Sequence, residues 1–432
     1  MLSKEENELL CRVGPGTPMG EVMRRYWLPA LLSSELPAPD CAPLRVKLLG
    51  ESLVAFRDTE GRVGFLEEGC PHRLASMWLG RNEEGGLRCV YHGWKFDVNG
   101  TCVDQMNEPN SFADKVKAVA YPAVEQGDVI WIYMGPVELT PPLPNFEYTR
   151  VPGARRAVTK VWEECSWLQA LEGGIDSSHA PILHRSFGTG AAGIAVGSAF
   201  VRGKAPTLEV DVTDYGYRYT GIRPLDEDQQ YVRGYHFVMP FTQLRPGQNV
   251  GRDSAERPMV AGHHWVPIDD HNCMVWNWHY SYADDYKLSG DELTLDFSGN
   301  GPTHVNAKNE YRAYGNSRND WLIDREVQKT QTFTGIPGIN AQDRAVQESM
   351  GGIVDRSKEH LGPADRAVIA ARKLLTDAVR AVQQGLEPAG VAPTYYNIRA
   401  AEKIFDADIP WRERLLPEMY PEGERQMAEA VI

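Results

Sequence analysis

The sequence contains no long apolar run, and this absence argues against a membrane-spanning helix. None of its hydrophobic stretches approaches the roughly 18 residues that a bilayer crossing requires. The first residues, Met1-Leu-Ser-Lys-Glu-Glu-Asn-Glu, also lack the basic and then apolar arrangement of a secretion signal. We therefore expect a protein that does not enter a membrane and that is located in the cytoplasm.

Basic side chains are too few for a nucleic-acid-binding protein. The 432 residues include 45 Lys and Arg against 59 Asp and Glu, which gives a net charge of −14. Binding to a phosphate backbone needs clustered basic residues, so we expect no nucleic-acid partner. Intrinsic disorder is excluded as well, because 42% of the residues are hydrophobic and only 24% are charged. The length predicts two or three domains with cores that fold without disulfides.

Cysteine is scarce and odd in number, which argues against a disulfide framework. The chain has seven cysteines, and disulfides are rare in the cytoplasm. Cys70 and Cys89 stand out because a histidine follows each of them closely. The other five have no partner at a motif spacing and are interpreted as small buried apolar residues: Cys11, Cys41, Cys102, Cys165 and Cys273.

The pattern of apolar residues divides the chain into three segments. Residues 5–27 are predicted to form helical segments that are broken at Gly14-Pro-Gly-Thr-Pro18. Residues 1–39 are predicted to form an N-terminal helical segment that packs on the C-terminal domain. From about Leu44 the period changes to two, which predicts an all-β domain over residues 40–145. The Pro-rich stretch Leu139–Pro144 marks the boundary with a C-terminal domain over residues 146–432.

The C-terminal domain combines helices with antiparallel strands. A helix is predicted over Glu163–Ser178, followed by strands between Thr207 and Tyr282, among them one long strand over Tyr231–Leu244. The last third is largely helical, with helices predicted over Pro363–Gln383 and Asn319–Gln328. An antiparallel sheet wrapped by helices is the α+β pattern.

A first group of metal-binding residues interrupts the β domain. Cys70-Pro-His72 is followed, after sixteen residues, by Cys89-Val-Tyr-His92. Two thiolates and two imidazoles can hold a zinc ion. They can also hold a [2Fe–2S] cluster in which two histidines replace two cysteines on one iron. Both pairs are predicted at loop tips of the β domain, unlike the hairpin and helix of a zinc finger, and this favours the cluster.

A second group lies at the end of the predicted helix over Glu163–Ser178. The segment Glu172-Gly-Gly-Ile-Asp176-Ser-Ser-His179-Ala-Pro-Ile-Leu-His184 carries two histidines and carboxylates, the ligand types of a ferrous ion with open coordination positions. Asp176 and His179 are predicted to share one helix face. His184 lies about 140° further round an ideal helix. Pro181 therefore has to break or widen the helix if His184 is to reach the same metal.

These motifs resemble those of the Rieske non-heme iron ring-hydroxylating oxygenases. The similarity lies in Cys70–Arg73, Cys89–Asp97 and the Asp-x2-His-x4-His spacing of residues 176–184, and it extends over most of the chain. It is greatest to the oxygenase (alpha) subunits of the phthalate dioxygenase type. The resemblance implies an N-terminal all-β Rieske [2Fe–2S] domain and a C-terminal catalytic domain of antiparallel sheet and helices, the helix-grip or START-like fold.

The resemblance also implies the ligands of both centres. Cys70 and Cys89 would bind one iron of the cluster and His72 and His92 the other. For the mononuclear Fe(II), His179 and His184 would be the nitrogen ligands, with Asp343 in Asn340-Ala-Gln-Asp-Arg344 as the third ligand. Asp324 and Asp355 are weaker substitutes for Asp343. As an alternative, Asn340 caps this helix and Asp343 only complements the helix dipole.

Asp176 would have a different role in such a protein. In the family it bridges the iron histidine, here His179, to a cluster histidine of a neighbouring subunit and conducts the electron. Many members have an asparagine three residues before this aspartate, whereas this chain has Gly173. The role of a side-chain amide at that position is therefore open.

The implied reaction is the oxidation of an aromatic carboxylate with O2 as co-substrate, by ring hydroxylation or oxidative O-demethylation, in aromatic catabolism. A carboxylate favours a pocket arginine, because guanidinium binds it in bidentate fashion. Arg202 and Arg245 are the candidates. Three tryptophans of the predicted sheet either line the pocket or pack in the core: Trp265, Trp276 and Trp278.

The sequence offers no site for NADH itself. Gly188–Gly193 matches the letters of a dinucleotide fingerprint without the surrounding βαβ unit, and no Cys-x4-Cys-x2-Cys run indicates a second cluster. We therefore expect NADH to act only through a separate reductase, possibly with a ferredoxin. The resemblance further implies a homotrimer or stacked trimers. The alternative function is a Rieske electron-transfer protein without catalysis, against which the second histidine motif counts.

Overall fold

The computed structural model describes residues 2–187, 194–195, 203–225, 228–247, 258–391 and 397–421. They divide into two compact units. One comprises Val13–Pro141, and the other comprises Met1–Arg12 together with Pro142–Ile432. We call them the cluster unit and the catalytic unit, and each is described by itself.

The helices lie mostly in the catalytic unit. The α-helices are α1 Lys4–Cys11, α2 Pro18–Met23, α3 Glu147–Arg150, α4 Trp167–Ile175, α5 Ala180–Leu183, α6 Gly290–Thr294, α7 Arg325–Thr330, α8 Ile339–Ser349, α9 Arg366–Gln383 and α10 Trp411–Met419. Short 3₁₀ helices are Ser33–Glu35, Met77–Leu79, Ala113–Lys115, Val137–Leu139, Gly153–Arg155, Asp296–Ser298, Ser317–Leu322, Arg356–Lys358 and Pro363–Asp365.

The cluster unit is built from strands. They are β1 Trp27–Leu32, β2 Leu44–Leu48, β3 Glu51–Arg57, β4 Val63–Glu67, β5 Arg81–Glu83, β6 Gly86–Arg88, β7 Trp94–Phe96, β8 Cys102–Gln105, β9 Ala120–Tyr121, β10 Ala123–Gln126 and β11 Val129–Tyr133. Three antiparallel sheets result, with the strand orders β1-β11-β10, β2-β3-β4-β9 and β5-β6-β7-β8. The predicted all-β architecture is confirmed.

The catalytic unit is organised around one large sheet. Its strands are β12 Arg156–Glu163, β13 Arg185–Ser186, β14 Ile194–Ala195, β15 Thr207–Thr213, β16 Gly216–Pro224, β17 Gln229–Val238, β18 Thr242–Pro246, β19 Met259–Asp269, β20 Asn272–Ser281, β21 Val305–Asn306, β22 Arg312–Ala313 and β23 Ala401–Asp406. The sheet order is β15-β16-β17-β18-β19-β20-β12-β22-β21, with β23 paired to β17, whereas β13 and β14 pair separately. This confirms the predicted α+β class.

Helix α4 is fixed within the catalytic unit by a buried charged network. The Glu172 carboxylate accepts from Arg356 Nε at 3.0 Å and from Arg372 Nε at 2.6 Å. Arg356, which has no exposed surface, also donates to Asn7 Oδ1 of α1 at 2.9 Å. Because Glu172 lies on the last turn of α4, this network holds the end of the helix from which the second histidine motif follows.

The N-terminal segment differs from its prediction. Residues 1–12 lie in the catalytic unit, but residues 13–39 belong to the cluster unit. The helical segments predicted within residues 5–27 are present as α1 and α2. Strand β1, which follows them and pairs antiparallel with β11, was not predicted. The residues of β1, Trp27-Leu-Pro-Ala-Leu-Leu32, are almost all buried, so their sequence has no alternation that would predict a strand.

Two predicted elements of the catalytic unit are each divided in the structure. The strand predicted over Tyr231–Leu244 is the antiparallel pair β17 and β18, because the chain turns at Met239-Pro240, where proline has no N–H for a ladder bond. The helix predicted over Asn319–Gln328 is a 3₁₀ segment and α7. Asp324 separates the two, because its side chain accepts from the N–H groups of the first turn of α7.

Candidate metal centres

The two Cys/His motifs lie on neighbouring loops of the cluster unit. Cys70 and His72 follow strand β4, and Cys89 and His92 connect β6 to β7. Each loop closes with the same hydrogen bond, from the N–H four residues on to the cysteine carbonyl, at 2.8 Å for Leu74 and 3.0 Å for Gly93. The prediction that both pairs sit on loops of a β unit is therefore confirmed in position.

In this region the two imidazoles lie beside each other, and so do the two thiols. The imidazole rings of His72 and His92 have centroids 4.4 Å apart, and His72 stacks on Trp94 at the same centroid distance. The cysteines are 1% and 3% exposed, whereas both histidines are partly exposed. Burial and the neighbouring Cys89 raise the pKa of the Cys70 thiol to about 11, so that a cation has to stabilise its thiolate.

This donor set fits a Rieske cluster. Two buried sulfurs and two partly exposed imidazoles are the asymmetric ligand set of a [2Fe–2S] cluster with one His₂ iron. The buried Trp94 Nε1 makes no hydrogen bond with the described residues, so an acceptor such as a cluster sulfide is accommodated there.

Asp176 and His179 do not share a helix face, which corrects the prediction. Helix α4 ends at Ile175, and Asp176 is its extended C-terminal cap. The Asp176 carboxylate accepts from the backbone N–H of Ser178 at 2.7 Å and of His179 at 3.2 Å, and these bonds end the helix. Pro181 does not break a helix either, because it lies in the first turn of the short helix α5, where proline is well tolerated.

The resulting turn nevertheless brings His179 and His184 together with Asp343. The Nε2 atoms of His179 and His184 lie 3.3 Å and 3.2 Å from Asp343 Oδ1. One ligand atom of each of the three residues lies within 4.8 Å of the others. Two imidazole nitrogens and one carboxylate oxygen that converge in this way fit a non-heme iron site.

The electrostatics of this site favour a cation. Burial would lower the pKa of His179, but hydrogen bonds and charges from Asp176 and Asp343 raise it to about 10. Burial would raise the pKa of Asp343, but the neighbouring His184 and His179 hold it well below its ordinary value. The carboxylates therefore create a negative potential that a divalent metal neutralises in place of a proton.

Asp343 comes from helix α8, and its competing interpretations are not supported by the geometry. The helix begins at Ile339 after Gly338, so Asn340 is not its N-cap. Instead Asn340 Nδ2 contacts Asp343 Oδ2 at 3.3 Å. The substitute ligands have local tasks, because Asp324 caps α7 and Asp355 caps the turn Arg356–Lys358.

Sequence reasoning missed Gln342, which contacts the second histidine. Its Oε1 lies 2.8 Å from His184 Nδ1, and its Nε2 donates to the Ile336 carbonyl at 2.9 Å. His184 and Gln342 are 158 residues apart, so no local pattern links them. The only signal is that Gln342 directly precedes Asp343.

The space beside Gly173 is occupied by the side chain of another helix. A Cβ atom on Gly173 would overlap the amide of Gln347, which extends from α8 and donates to the Ala170 carbonyl at 3.3 Å. A Cβ on Gly174 would overlap the ring of Trp265. Both glycines therefore allow α4 to approach its neighbours closely.

Arg245 lies on the face of the sheet that α4 covers. Its Nε donates to His263 Nε2 at 3.2 Å, and His263 Nδ1 lies 2.9 Å from Asn277 Oδ1. Gln243, His263, Asn277 and Thr159 are directly opposite one another in successive strands, so they form a polar row on one face.

The charge of the Arg245 guanidinium interacts with the Asp343 carboxylate of the triad. Burial lowers its pKa to about 10, and the Asp343 carboxylate acts in the opposite direction. It therefore remains a cation at neutral pH. Burial and the Arg245 charge lower the pKa of His263 to about 3, so His263 stays neutral and accepts the Arg245 N–H.

The other predicted pocket residues differ from Arg245. Arg202 and the Gly188–Gly193 segment lie outside the described residues. Trp265 packs against α4 on the face of the polar row. Trp276 and Trp278 point to the opposite face, because side chains alternate along β20 on either side of Asn277. Both are core residues, since Trp278 stacks on Tyr148 with ring centroids 4.5 Å apart and Trp276 has no exposed surface.

Among the described residues no helix combines the length and apolar character that crossing a membrane requires.

Comparisons with known proteins match both halves of the chain. The family model of the Rieske [2Fe–2S] domain matches residues 26–120, and the model described as "LigXa C-terminal domain like" matches residues 132–430. Solved structures share the fold. A caffeine-bound NdmA of Pseudomonas putida CBB5 has a TM-score of 0.61 at 22% identity, covering 85% of this chain and 94% of its own. Dicamba monooxygenase bound to dicamba has a TM-score of 0.57 at 18% identity, covering 84% and 99%.

Similar sequences extend over nearly the full length. The oxygenase subunit of phthalate 4,5-dioxygenase from Pseudomonas putida is 39% identical, covering 96% of this chain and 94% of its own. The oxygenase subunit of 3-chlorobenzoate-3,4-dioxygenase from Comamonas testosteroni is 38% identical, covering 95% and 97%. The oxygenase subunit of 5,5'-dehydrodivanillate O-demethylase from a Sphingobium species is 31% identical, covering 90% and 84%.

These similarities favour a catalytic oxygenase over an electron-transfer protein without catalysis. The cofactors are a Rieske [2Fe–2S] cluster and a mononuclear non-heme iron. The chain belongs to the Rieske non-heme iron oxygenases, as an oxygenase subunit of the phthalate dioxygenase type.

Proposed function

We propose that this chain oxidises an aromatic carboxylate, by ring hydroxylation or oxidative O-demethylation in aromatic catabolism, with electrons from a separate NAD(P)H-dependent reductase. The observation that carries the proposal is Arg245, a partly exposed cation on the sheet face under α4, whose charge interacts with the Asp343 carboxylate of the His179–His184–Asp343 triad. The phthalate and chlorobenzoate named in two relatives are aromatic carboxylates, which supports an anionic substrate.

The proposed division of labour follows the geometry. Cys70, His72, Cys89 and His92 hold the cluster, and His179, His184 and Asp343 hold the iron. When bound, the two centres supply the electron and the O2 chemistry, with O2 as co-substrate. Arg245 binds the substrate carboxylate, which orients the ring or the methoxy group towards the triad. Asp176 orients His179 through Nδ1 at 3.1 Å and connects it to the source of the electron.

The orientation of Arg245 is fixed by a chain of hydrogen bonds with one direction. The Val275 carbonyl accepts from Asn277 Nδ2 at 3.2 Å, so the amide oxygen of Asn277 faces His263 and accepts its Nδ1–H. His263 Nε2 is then free to accept from Arg245. With Nε used in this way, the terminal nitrogens of the guanidinium remain for a bidentate carboxylate.

We propose a homotrimer or a stacked pair of trimers, in which the cluster of one subunit approaches His179 of the next. Support comes from the surface around the cluster, where both histidines are partly exposed. The apolar side chains on the same loops and nearby are exposed to an extent that favours a partner: Leu74 77%, Val90 53%, Tyr91 54% and Met106 67%. Full turnover by a monomer at high dilution would contradict the assembly.

A cytoplasmic location stays a prediction.

The substrate proposal is tested with the purified chain and a reductase of this class. Phthalates, methoxybenzoates and biaryl carboxylates are tested as substrates by product formation. The neutral amide of each acid is tested under the same conditions for comparison. We expect turnover of at least one acid and little of its amide. Arg245→Gln should raise KM for the acid by about tenfold or more, the size of a lost charge-assisted bond. Arg380→Gln, at a residue exposed on α9, is the matched control.

Two results would contradict the proposal. Equal turnover of acid and amide excludes recognition of a carboxylate. NADH oxidation by the purified chain alone excludes the requirement for a separate reductase.

A further inference from the structure

The two histidines of the triad have chemically different partners at their second ring nitrogen. His179 Nδ1 lies 3.1 Å from the Asp176 carboxylate, which carries a charge. His184 Nδ1 lies 2.8 Å from the Oε1 atom of Gln342, which belongs to a neutral amide. The first contact is between neighbours in sequence, whereas the second joins the α5 region to helix α8.

The orientation of the Gln342 amide is determined by its other contact. Its Nε2 donates at 2.9 Å to the carbonyl of Ile336, which can only accept. The atom facing His184 is therefore the amide oxygen, which also can only accept. A neutral His184 ring must therefore carry its hydrogen on Nδ1, so that Nε2 presents a lone pair on the side of Asp343.

The carbonyl that fixes this amide is itself held in place. The side chains of Thr332 and Thr334 accept from the N–H groups of Gly335 and Ile336 at 3.0 Å and 3.2 Å. The loop then turns at Gly338, whose φ of +88° favours glycine. The amide oxygen therefore has a fixed position relative to the loop that precedes α8.

Burial makes this contact hard to replace. Gln342 is 1% exposed and His184 is 4% exposed, so water has little access to either group. Without the amide oxygen, the Nδ1–H of His184 would be buried without an acceptor, or the hydrogen would move to Nε2 and block the metal-binding atom. One turn of α8 thus supplies a ligand, Asp343, and the group that orients a second ligand.

We propose that Gln342 is a positioning residue that holds His184 as the Nδ1–H tautomer and thereby sets the affinity of the triad for a divalent metal. Its neutral amide fixes the ring without adding charge, in contrast to Asp176 at His179. The inference rests on the proposed assignment of the triad to iron.

Metal binding tests the inference without reference to turnover. Protein that retains its Rieske cluster is freed of the mononuclear metal with a chelator and titrated with Co²⁺, with binding followed by the visible absorption of the Co²⁺ ion. Gln342→Met keeps the length of the side chain and removes the amide acceptor. We expect it to weaken Co²⁺ binding by about 10- to 100-fold, as loss of a ligand-orienting hydrogen bond does elsewhere. The visible spectrum of the Rieske cluster should not change.

Two further variants separate positioning from folding. Gln342→Glu retains an oxygen that accepts from Nδ1 but loses the N–H that donates to the Ile336 carbonyl, so its Co²⁺ affinity should fall clearly less than that of Gln342→Met. Gln383→Met, at an exposed residue of α9, is the matched control and should bind Co²⁺ as the wild type does.

The outcomes are distinguishable. Unchanged affinity in Gln342→Met overturns the inference, and so does an equal loss in Gln342→Met and Gln342→Glu. If the wild-type protein itself binds no Co²⁺ after chelation while its cluster is intact, the proposed iron site fails instead.

Discussion

Asp176 has two roles: it ends helix α4, and it is proposed to conduct the electron to His179. One carboxylate oxygen accepts from the Ser178 N–H at 2.7 Å, and the other contacts the His179 ring at 3.1 Å. The first bond ends helix α4, and the second orients a triad histidine. An asparagine can still accept from the Ser178 N–H, but it cannot supply a negative charge beside His179. Substitution therefore separates the two roles of Asp176.

Asp176→Asn should leave both metal centres bound and nearly abolish turnover. The asparagine oxygen still accepts backbone N–H groups, so the turn is preserved, but the negative charge beside His179 is lost. We expect turnover to fall by about 100-fold or more, by analogy with the loss of an orienting carboxylate in other histidine pairs. Iron and sulfide content and reductase-coupled turnover measure the two effects.

Asp355→Asn is the matched control, because Asp355 caps a short turn and pairs with Lys358, away from the triad contacts. Retained turnover in Asp176→Asn, with iron content unchanged, would contradict the conducting role.

Gly174 tests how closely α4 must approach the sheet. Its Cβ would overlap the Trp265 ring, which is 3% exposed and cannot move into solvent. Gly174→Ala should therefore lower the free energy of unfolding by about 1–3 kcal/mol, the usual cost of overpacking. Gly290→Ala, in the first turn of α6 with no atom near its Cβ, should change it little. Equal stability of the two variants in chemical denaturation would show that the approach is not required.

The residues of the site differ in how far the sequence predicts them. Cys70, His72, Cys89 and His92 follow from local spacing, as does the pair His179 and His184. Asp343 comes from 159 positions beyond His184 and needs the family resemblance. Gln342, His263 and Asn277 were not predicted, because their contacts depend on helix placement and strand register, which no local pattern encodes.

At the scale of elements, the alternation of apolar and polar residues predicts the strands well. It does not predict where a side chain caps a helix and ends it. The change to period two that the sequence shows from about Leu44 coincides with the start of strand Leu44–Leu48. The helix predicted over Glu163–Ser178 is shorter, Trp167–Ile175, because Asp176 bonds to the following backbone. The first residue of the predicted helix, Glu163, is the last residue of strand β12 and pairs with Cys273 of β20.

Glu163 is a buried acid beneath the helix that carries Asp343. It is 1% exposed, and burial together with the charge of Glu348 on α8 raises its pKa to about 8. The folded state therefore keeps this proton at neutral pH, whereas the unfolded chain, with an ordinary value of 4.5, releases it. Stability must then fall as the pH rises from about 4.5 to about 8 and level off above it.

Glu163→Gln should remove this loss of stability. The difference between the two pKa values corresponds to a free energy on the order of 5 kcal/mol at pH above 8, and less if the site relaxes. Urea denaturation between pH 5 and 9 measures it, with Glu138→Gln at an exposed residue as the control. Parallel pH profiles of the wild type and Glu163→Gln would contradict a raised pKa.

At the scale of the whole molecule, the chain carries an excess of negative charge, but the proposed substrate site contains a positive side chain. A net charge of −14 opposes the approach of an anionic substrate. Arg245 supplies a local cation under α4, and the carboxylates of the triad are compensated when a metal is bound. The proposed selectivity for acids therefore depends on a few residues of the site and not on the overall charge.

The central claim is that one chain holds two iron centres of different kinds. Iron and acid-labile sulfide analysis of the wild type and of His184→Ala tests it most directly. We expect three irons and two sulfides per wild-type chain, and two irons with two sulfides in His184→Ala, because the cluster keeps its own ligands. Two irons in the fully loaded wild type, or an unchanged iron content in His184→Ala, would contradict the account.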